Sequence, residues 1–523
     1  MHLDKNEKPK QRTTINDNNK NKMIQSVFTA AMLLMSTITI ASSLTIPVDP
    51  AVAQKPPILS VINSGAKPTL DNLKLASGYK MEPVFWNLTL PSAVTFDDKG
   101  NTFIAQSGFA EWFFATPSII KVDQNGNTSV LVDRTIFGPV TDIEFYKGKL
   151  YASHKGVIST VDPVSGIVKD IIFGLPSSGD HQNNQIAFGP DGRLYLTTGT
   201  ATNSAVVGED NILGLQWPKY TPQIHDIPGK DITLTGQNFN TSNPFTPSDL
   251  NDNATTGAYV SFGTPTSNGQ VIKGDVKCSG CILSANMDGS DLKLVAWGLR
   301  NPYGIAFAND GKLIVSNNGA DERGSRQIAY DPDKAYVIDT SNSSNLGKFY
   351  GWPDFAGNAE PVTDPKFQPP SVKEPLKFLI QDHPEVVKPL AQMQVGPSLT
   401  QVAYSNNSIF GHEGMTFIGA SGTFTPITHT FNTIPKGIVG HKVMMLDPKT
   451  GNYSEFLGAI RDPSVFTPVG LAFDHNGSAL YIADIGKLEL RNTLPSGTPL
   501  NHTVTWPYPY TGVVWKVTQS GGA

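Results

Sequence analysis

The sequence predicts an all-β chain: a six-bladed β-propeller with long loop insertions after the third and fourth repeats. Three observations carry this expectation. A strand–turn–strand unit recurs six times along the chain. Copies are followed by a second hairpin, and two hairpins make one four-stranded antiparallel blade. The last apolar run, Gly512-Val513-Val514-Trp515-Lys516-Val517, would complete a blade with an N-terminal strand, closing the ring and hiding its edges.

Taken in order, residues 1–22 are polar and carry Lys5, Lys8, Lys10, Arg12, Lys20 and Lys22, and residues 23–48 have no charge. Ala51-Val52-Ala53 follows as a small-residue cleavage site. Residues 1–53 therefore read as a secretory signal peptide, or as an uncleaved N-terminal anchor, since the apolar run is long enough to span a bilayer. Membrane contact is expected only through that anchor, and the remainder is expected to be secreted or extracytoplasmic. Residues 54–77 read as a linker and 78–523 as the propeller.

The first repeat covers 90–105, with its turn at Asp98-Lys99-Gly100, and the second covers 139–156, turning at Lys147-Gly148. The third is 183–199. Its Ile186 and Phe188, then Leu194 and Leu196, alternate around Pro190-Asp191-Gly192. Proline presets φ in such a turn and glycine accepts positive φ, so period-2 apolar runs on either side make a hairpin. The fourth repeat covers 300–319, a fifth and irregular one 410–422, and the sixth 467–486. The uneven spacing defines two insertions, about 205–277 and 337–397. Long excursions from a compact scaffold carry either sites and lids or surface decoration.

The chain has 523 residues and a formal net charge of −5, which argues against a nucleic-acid partner. Its two cysteines are Cys278 and Cys281. There is no second pair for zinc and no following histidine for covalent haem. In an oxidising compartment they would form a local disulfide.

Loops that enter successive blades converge on one end of a propeller channel, so residues just before each repeat become neighbours. Asp180-His181 precedes the third repeat, and a histidine beside a carboxylate can act as a general base near neutral pH. Arg300-Asn301 opens the fourth; a guanidinium binds planar carboxylates bidentately. Asn318-Gly319-Ala320-Asp321-Glu322 could hold Ca²⁺ through carboxylates or backbone carbonyls. His225-Asp226 and His412-Glu413 read as solvated turns. Tyr350-Gly351-Trp352-Pro353 is an aromatic turn that could wall a sugar pocket or plug a packing gap.

These strings resemble the soluble glucose/sorbosone dehydrogenases, six-bladed propellers that use pyrroloquinoline quinone (PQQ) and Ca²⁺. The resemblance rests on Asp180-His181-Gln182 with Phe188-Gly189-Pro190-Asp191-Gly192-Arg193-Leu194-Tyr195, on Gly298-Leu299-Arg300-Asn301-Pro302-Tyr303-Gly304, on Asn318-Gly319 with Asp321-Glu322, and on Tyr350-Gly351-Trp352-Pro353. They stand in the family's order over about residues 79–518. The resemblance implies an oxidation of an aldose or similar sugar, with an external electron acceptor. His181 would be the catalytic base and Asp180 would orient it. Arg300 and Asn301 would contact PQQ, and the carbonyls of Gly319 and Ala320 would hold its Ca²⁺. Three positions depart from the family. An amide near the second blade is replaced by Gly138-Pro139-Val140-Thr141, a fifth-blade cation by Gly419-Ala420-Ser421-Gly422, and a sixth-blade Arg-Pro by Thr467-Pro468. Lys436, Lys442 or Arg461 would have to restore the lost charge. Two other readings stand beside this one: a non-catalytic extracellular propeller that binds glycan or protein, and a metal-dependent lactonase-like propeller.

Overall fold

The computed structural model describes residues 62–521, apart from 107–115, 134, 209–220, 244–245, 247–248, 250, 426 and 494–498. The described residues all belong to one compact unit, Pro56–Ala523. The signal or anchor expected over residues 1–53 lies outside the described residues. Among the described residues no helix is long and apolar enough to cross a membrane.

That unit is a six-bladed propeller. From the channel outward, blade one is Pro91–Phe96, Thr102–Gln106, Ser118–Val122 and Thr128–Asp133. Blade two is Val140–Tyr146, Lys149–His154, Val157–Val161 and Val168–Phe173. Blade three is Asn183–Phe188, Leu194–Thr198, Cys281–Ala285 and Lys293–Trp297. Blade four is Asn301–Phe307, Leu313–Asn318, Pro332–Ile338 and Ala391–Val395. Blade five is Leu399–Tyr404, Thr416–Ala420, Lys442–Leu446 and Tyr453–Ala459, to which Leu73–Leu75 adds an outer strand. Blade six is Pro468–Phe473, Ala479–Asp484, Gly512–Gln519 and, from the other end of the chain, Tyr79–Leu88. Tyr79 pairs with Gln519 and Leu88 with Gly512, so the ring closes as the sequence predicts.

The irregular fifth repeat is displaced. Its inner strand begins at Leu399, upstream of the apolar stretch around Phe410. Phe410 sits in the turn between the two inner strands and is fully buried against Phe417, Phe456 and Phe473. A core-plugging turn residue therefore mimics strand periodicity.

Adjacent blades are held by apolar layers between their faces. Phe103, Ile119 and Val132 of blade one meet Ile143, Leu150 and Val161 of blade two, and Leu88 and Val514 of blade six meet Val94, Ile104 and Ile120 of blade one. Because both faces of each sheet are covered, second and third strands such as Leu194–Thr198 and Cys281–Ala285 are buried at every residue. This is the near-continuous burial expected of a sheet packed on two sides.

Two features shape the channel. Every innermost strand pair has a register shift near the inner strand's start, at Pro91/Ala93, Val140/Asp142, Asn183/Ile186, Pro302/Gly304, Leu399/Val402 and Pro468/Gly470. Bulges bend a strand and re-aim its side chains, and here they do so at the end where His181 and Arg300 lie. Deeper in, glutamines stitch the blades across the axis. Gln185 donates to the Val402 carbonyl and accepts from the amides of Ile305 and Val402. Gln401 donates to the Thr141 carbonyl and to Asp142, and accepts from the Leu471 amide.

The long excursions belong to blades three and four. Between the second and third strands of blade three the chain forms the small pairs Ile232–Thr233 with Val271–Ile272 and Asn238–Ser242 with Asn253–Gly257. After the third strand of blade four, Lys348–Phe349 returns as a parallel strand on blade three. Arg326 and Asp354, both buried, pair at 2.7 Å beneath these segments, and Asp354 also accepts from the amides of Leu379 and Ile380. Cys278 and Cys281 are joined in a disulfide.

Candidate active site at the channel end

His181 is placed by a backbone zipper. The Gly199 amide donates to the Gln182 carbonyl, the Thr200 amide to the Arg300 carbonyl, and the Asp180 amide to the Ala201 carbonyl. This segment must carry glycine: a Cβ on Gly199 would lie 2.3 Å from the His181 Cβ and 2.5 Å from Asn301 Oδ1. Nδ1 of His181 lies 2.8 Å from the Thr200 carbonyl. A carbonyl only accepts, so that contact assigns the proton to Nδ1 and leaves the lone pair on Nε2. Burial, then the Arg300 charge, pull the imidazole down to about 3, against a smaller upward pull from Asp180. His181 is therefore a neutral base at physiological pH.

The expected orienting role of Asp180 is shared differently. Its carboxylate forms a 2.8 Å ion pair with Arg323, while the Thr200 carbonyl fixes the histidine tautomer. Arg323 also reaches Asp321 at 2.8 Å, and Asp321 pairs with Arg300 at 2.6 Å. Arg300 is 4% exposed and donates further to the carbonyls of Gly319 and Asn203. Burial pushes Asp321 up, but the two guanidiniums outweigh it and hold the carboxyl well below its ordinary range. The result is a chain of alternating charges, Asp180–Arg323–Asp321–Arg300, along one wall of the channel end.

Asn301 stands in an amide ladder that crosses blades three, four and five. Asn184 donates to its Oδ1, its Nδ2 donates to Asn318, and Asn318 donates to Asp333 and to the Leu399 carbonyl. Gly319 and Ala320 follow directly. Their amides donate to Asp333 and Asp331, and the Gly319 carbonyl accepts the Arg300 guanidinium at 2.7 Å. Asp331 is bound to Lys334, and Asp321 to both arginines. Ca²⁺ takes about six to eight oxygens. The chain's own groups do not form such a cage here, because each nearby carboxylate is committed to an amide or a cation. Of the two carbonyls expected to hold the ion, that of Gly319 is already taken by the Arg300 guanidinium, which leaves that of Ala320, so the chain's own residues do not by themselves make a Ca²⁺ site. Among the described residues no group of three or more His, Cys, Asp and Glu comes together as metal ligands.

Several supports were not visible in the sequence. Asn203, from the loop after blade three's second strand, accepts from the Asp321 amide, donates to the Asp321 and Arg323 carbonyls, and receives Trp352 Nε1 on its carbonyl. Trp352 of the aromatic turn is thus a packing plug beneath the charge chain. Asp226, expected in a solvated turn, is 1% exposed and accepts from the Ala201 amide and the Thr202 hydroxyl. Of the three candidate replacement cations, Lys436 and Arg461 are exposed and Lys442 pairs with Glu455. Blade five instead delivers His429, which lies 3.9 Å from Asp321.

No family model matches the chain. A curated protein, quinoprotein glucose dehydrogenase B of Acinetobacter calcoaceticus, is 28% identical over 284 residues, covering 48% of this chain and 45% of that protein. The chain thus spans less than half the length of that relative. Among solved structures, Trichoderma reesei Carbohydrate-Active Enzymes Family AA12 superposes with a TM-score of 0.53 at 14% identity, over 87% of this chain and 100% of the other. The PQQ domain of pyranose dehydrogenase from Coprinopsis cinerea gives 0.50 at 15% identity, over 85% and 97%. These two likenesses bear on the fold alone. With its motifs, its six blades and the Acinetobacter relative taken together, the chain resembles the soluble PQQ-dependent glucose/sorbosone dehydrogenases.

Proposed function

We propose that the chain is an exported PQQ-dependent dehydrogenase that oxidises an aldose or similar sugar and passes electrons to an external acceptor. The single observation that carries this reading is His181: a neutral imidazole with its Nδ1 proton tied to a carbonyl, its Nε2 lone pair available, and Arg300 and Asn301 within the same channel end.

The donor set fits a flat anion in kind. Two guanidiniums and an amide ladder line the channel end. Net charge along the wall is close to zero, because Arg300 and Arg323 are paired with Asp321 and Asp180. When bound, PQQ supplies a two-electron oxidant that accepts hydride from the sugar carbon. The chain's part is to take the hydroxyl proton at His181 Nε2, to hold that ring through Thr200, and to keep both guanidiniums at fixed places through Asn203 and Asp321. Of the two carbonyls expected to meet a Ca²⁺ carried by the cofactor, that of Gly319 is engaged by Arg300, which leaves that of Ala320.

The test is reconstitution of the full chain with PQQ, with and without Ca²⁺, followed by mixing with a panel of aldoses. Reduction of the bound cofactor, seen in its absorbance, is expected with at least one sugar; silence across the panel overturns the substrate class. His181→Ala is expected to slow reduction by about 10²–10⁴-fold with little change in thermal midpoint. Unchanged turnover removes His181 as the base.

A further inference from the structure

The loop that follows blade five's second strand crosses to blade four and is fastened there by Glu322. The Glu322 amide donates to the Thr428 carbonyl. Its carboxylate accepts from the Thr430 amide and from the hydroxyls of Thr430 and Thr433, the last at 2.6 Å. This strap presses His429 into the charge chain, where it is 3% exposed. The ring lies against Gly396, where an added Cβ would sit 3.1 Å from its Cε1. Nδ1 meets the Thr428 hydroxyl at 3.0 Å. Nε2 is buried and has no hydrogen-bond partner among the described residues. Asp321 Oδ1, at 3.9 Å, is beyond hydrogen-bond distance.

A polar atom buried without a partner costs free energy that a protein normally avoids. Here the cost is incurred beside Arg300 and Arg323, at the channel end that carries the proposed base. The Thr428 hydroxyl can donate to or accept from Nδ1, but the Asp321 carboxylate 3.9 Å from Nε2 favours the tautomer with the proton on Nε2, which is then a donor without a hydrogen-bonded acceptor among the described residues. We infer that His429 is a ligand-binding residue: its Nε2–H, together with the guanidiniums of Arg300 and Arg323, receives a carboxylate of the bound cofactor. The strap thereby supplies from blade five the donor that the blade's own strand end, Gly419-Ala420-Ser421-Gly422, does not carry. This inference rests on the PQQ reading above and assigns to it a contact from outside the repeats.

The test is calorimetric titration of the full chain with PQQ, wild type beside His429→Met, with thermal unfolding of both. The variant is expected to bind PQQ about tenfold more weakly or worse, as loss of a hydrogen bond to a charged group predicts. Its thermal midpoint should be equal to or above the wild type's, because the unpartnered nitrogen is gone. Equal affinity in the two proteins overturns the role of His429 and leaves the dehydrogenase reading standing. Absence of PQQ binding by the wild type overturns both. If the variant does not fold, the readout is the imidazole nitrogen resonances of the wild type: a shift of His429 Nε2 on adding PQQ is expected, and no shift overturns the contact.

Discussion

His181 owes its character to what its two ring nitrogens meet. The Thr200 carbonyl fixes one proton on Nδ1, and burial with Arg300 nearby disfavours a second on Nε2. The sign of the pH dependence follows. With the imidazole pulled down to about 3, the base form is present at every higher pH and is lost only as pH falls through that value. Sugar kcat/KM should therefore stay level from about pH 8 down to about pH 5 and decline only in stronger acid. An acid limb centred near the ordinary histidine value of about 6.5 would show that the ring is solvated rather than held as described. The strings Asp180-His181 and Arg300-Asn301 were legible because each is contiguous and stands at the mouth of a repeat. The partners of those residues were not. Asn203 meets Asp321 from 118 residues away, and His429 sits in a threonine-rich strap with no period to mark it.

At the scale of elements, the first insertion acts through Asp226. It holds the Ala201 amide and the Thr202 hydroxyl, and so fixes the segment whose Thr200 carbonyl orients His181 and whose Asn203 clamps the Asp321–Arg323 turn. The Cys278–Cys281 loop backs the same segment: Thr198 donates to the Cys278 carbonyl and the Leu299 amide donates to the Gly280 carbonyl. Burial pushes the Asp226 carboxyl up to about 7. In the unfolded chain it titrates near its ordinary value of about 4, so between those values the folded state holds a proton that the unfolded state has released. Stability should fall as pH rises through that window and level off above it. Asp333 and Asp484, each pushed up to about 6 by burial, act in the same direction. Asp226→Asn keeps an oxygen acceptor and removes the titration. Its unfolding free energy should decline less steeply than the wild type's between about pH 5 and pH 7, by on the order of 1 kcal/mol per pH unit, as read from denaturant unfolding at each pH. Parallel curves would place Asp226 in solvent. The sequence showed where this insertion begins and ends but not its packing, since an Asx-rich loop has the same composition whether it decorates or supports.

For the whole molecule, the ring was legible because its apolar alternation repeats and its last strand pairs with Tyr79–Leu88. What keeps the blades in register around the axis was not, because glutamine inside a strand gives no periodic signal. Gln401 is 2% exposed and joins blade five to blade two through the Thr141 carbonyl and Asp142, and to blade six through the Leu471 amide. Gln185 does the same from blade three to blades four and five. Gln401→Leu would fill the same space but leave the Leu471 N–H, the Thr141 carbonyl and one oxygen of Asp142 without those partners. Asp142 is already raised by burial, and losing the Gln401 donor would raise it further. Each buried group left unmade costs about 1–3 kcal/mol, partly relieved when Asp142 protonates, so a net loss of about 2–4 kcal/mol is expected. The thermal midpoint should drop by several degrees with the transition still single. His181-dependent chemistry should weaken less than stability, because the stitch lies below the amide ladder rather than within it. A midpoint equal to the wild type's would mean that the apolar layers between blades hold the ring without the cross-channel glutamines.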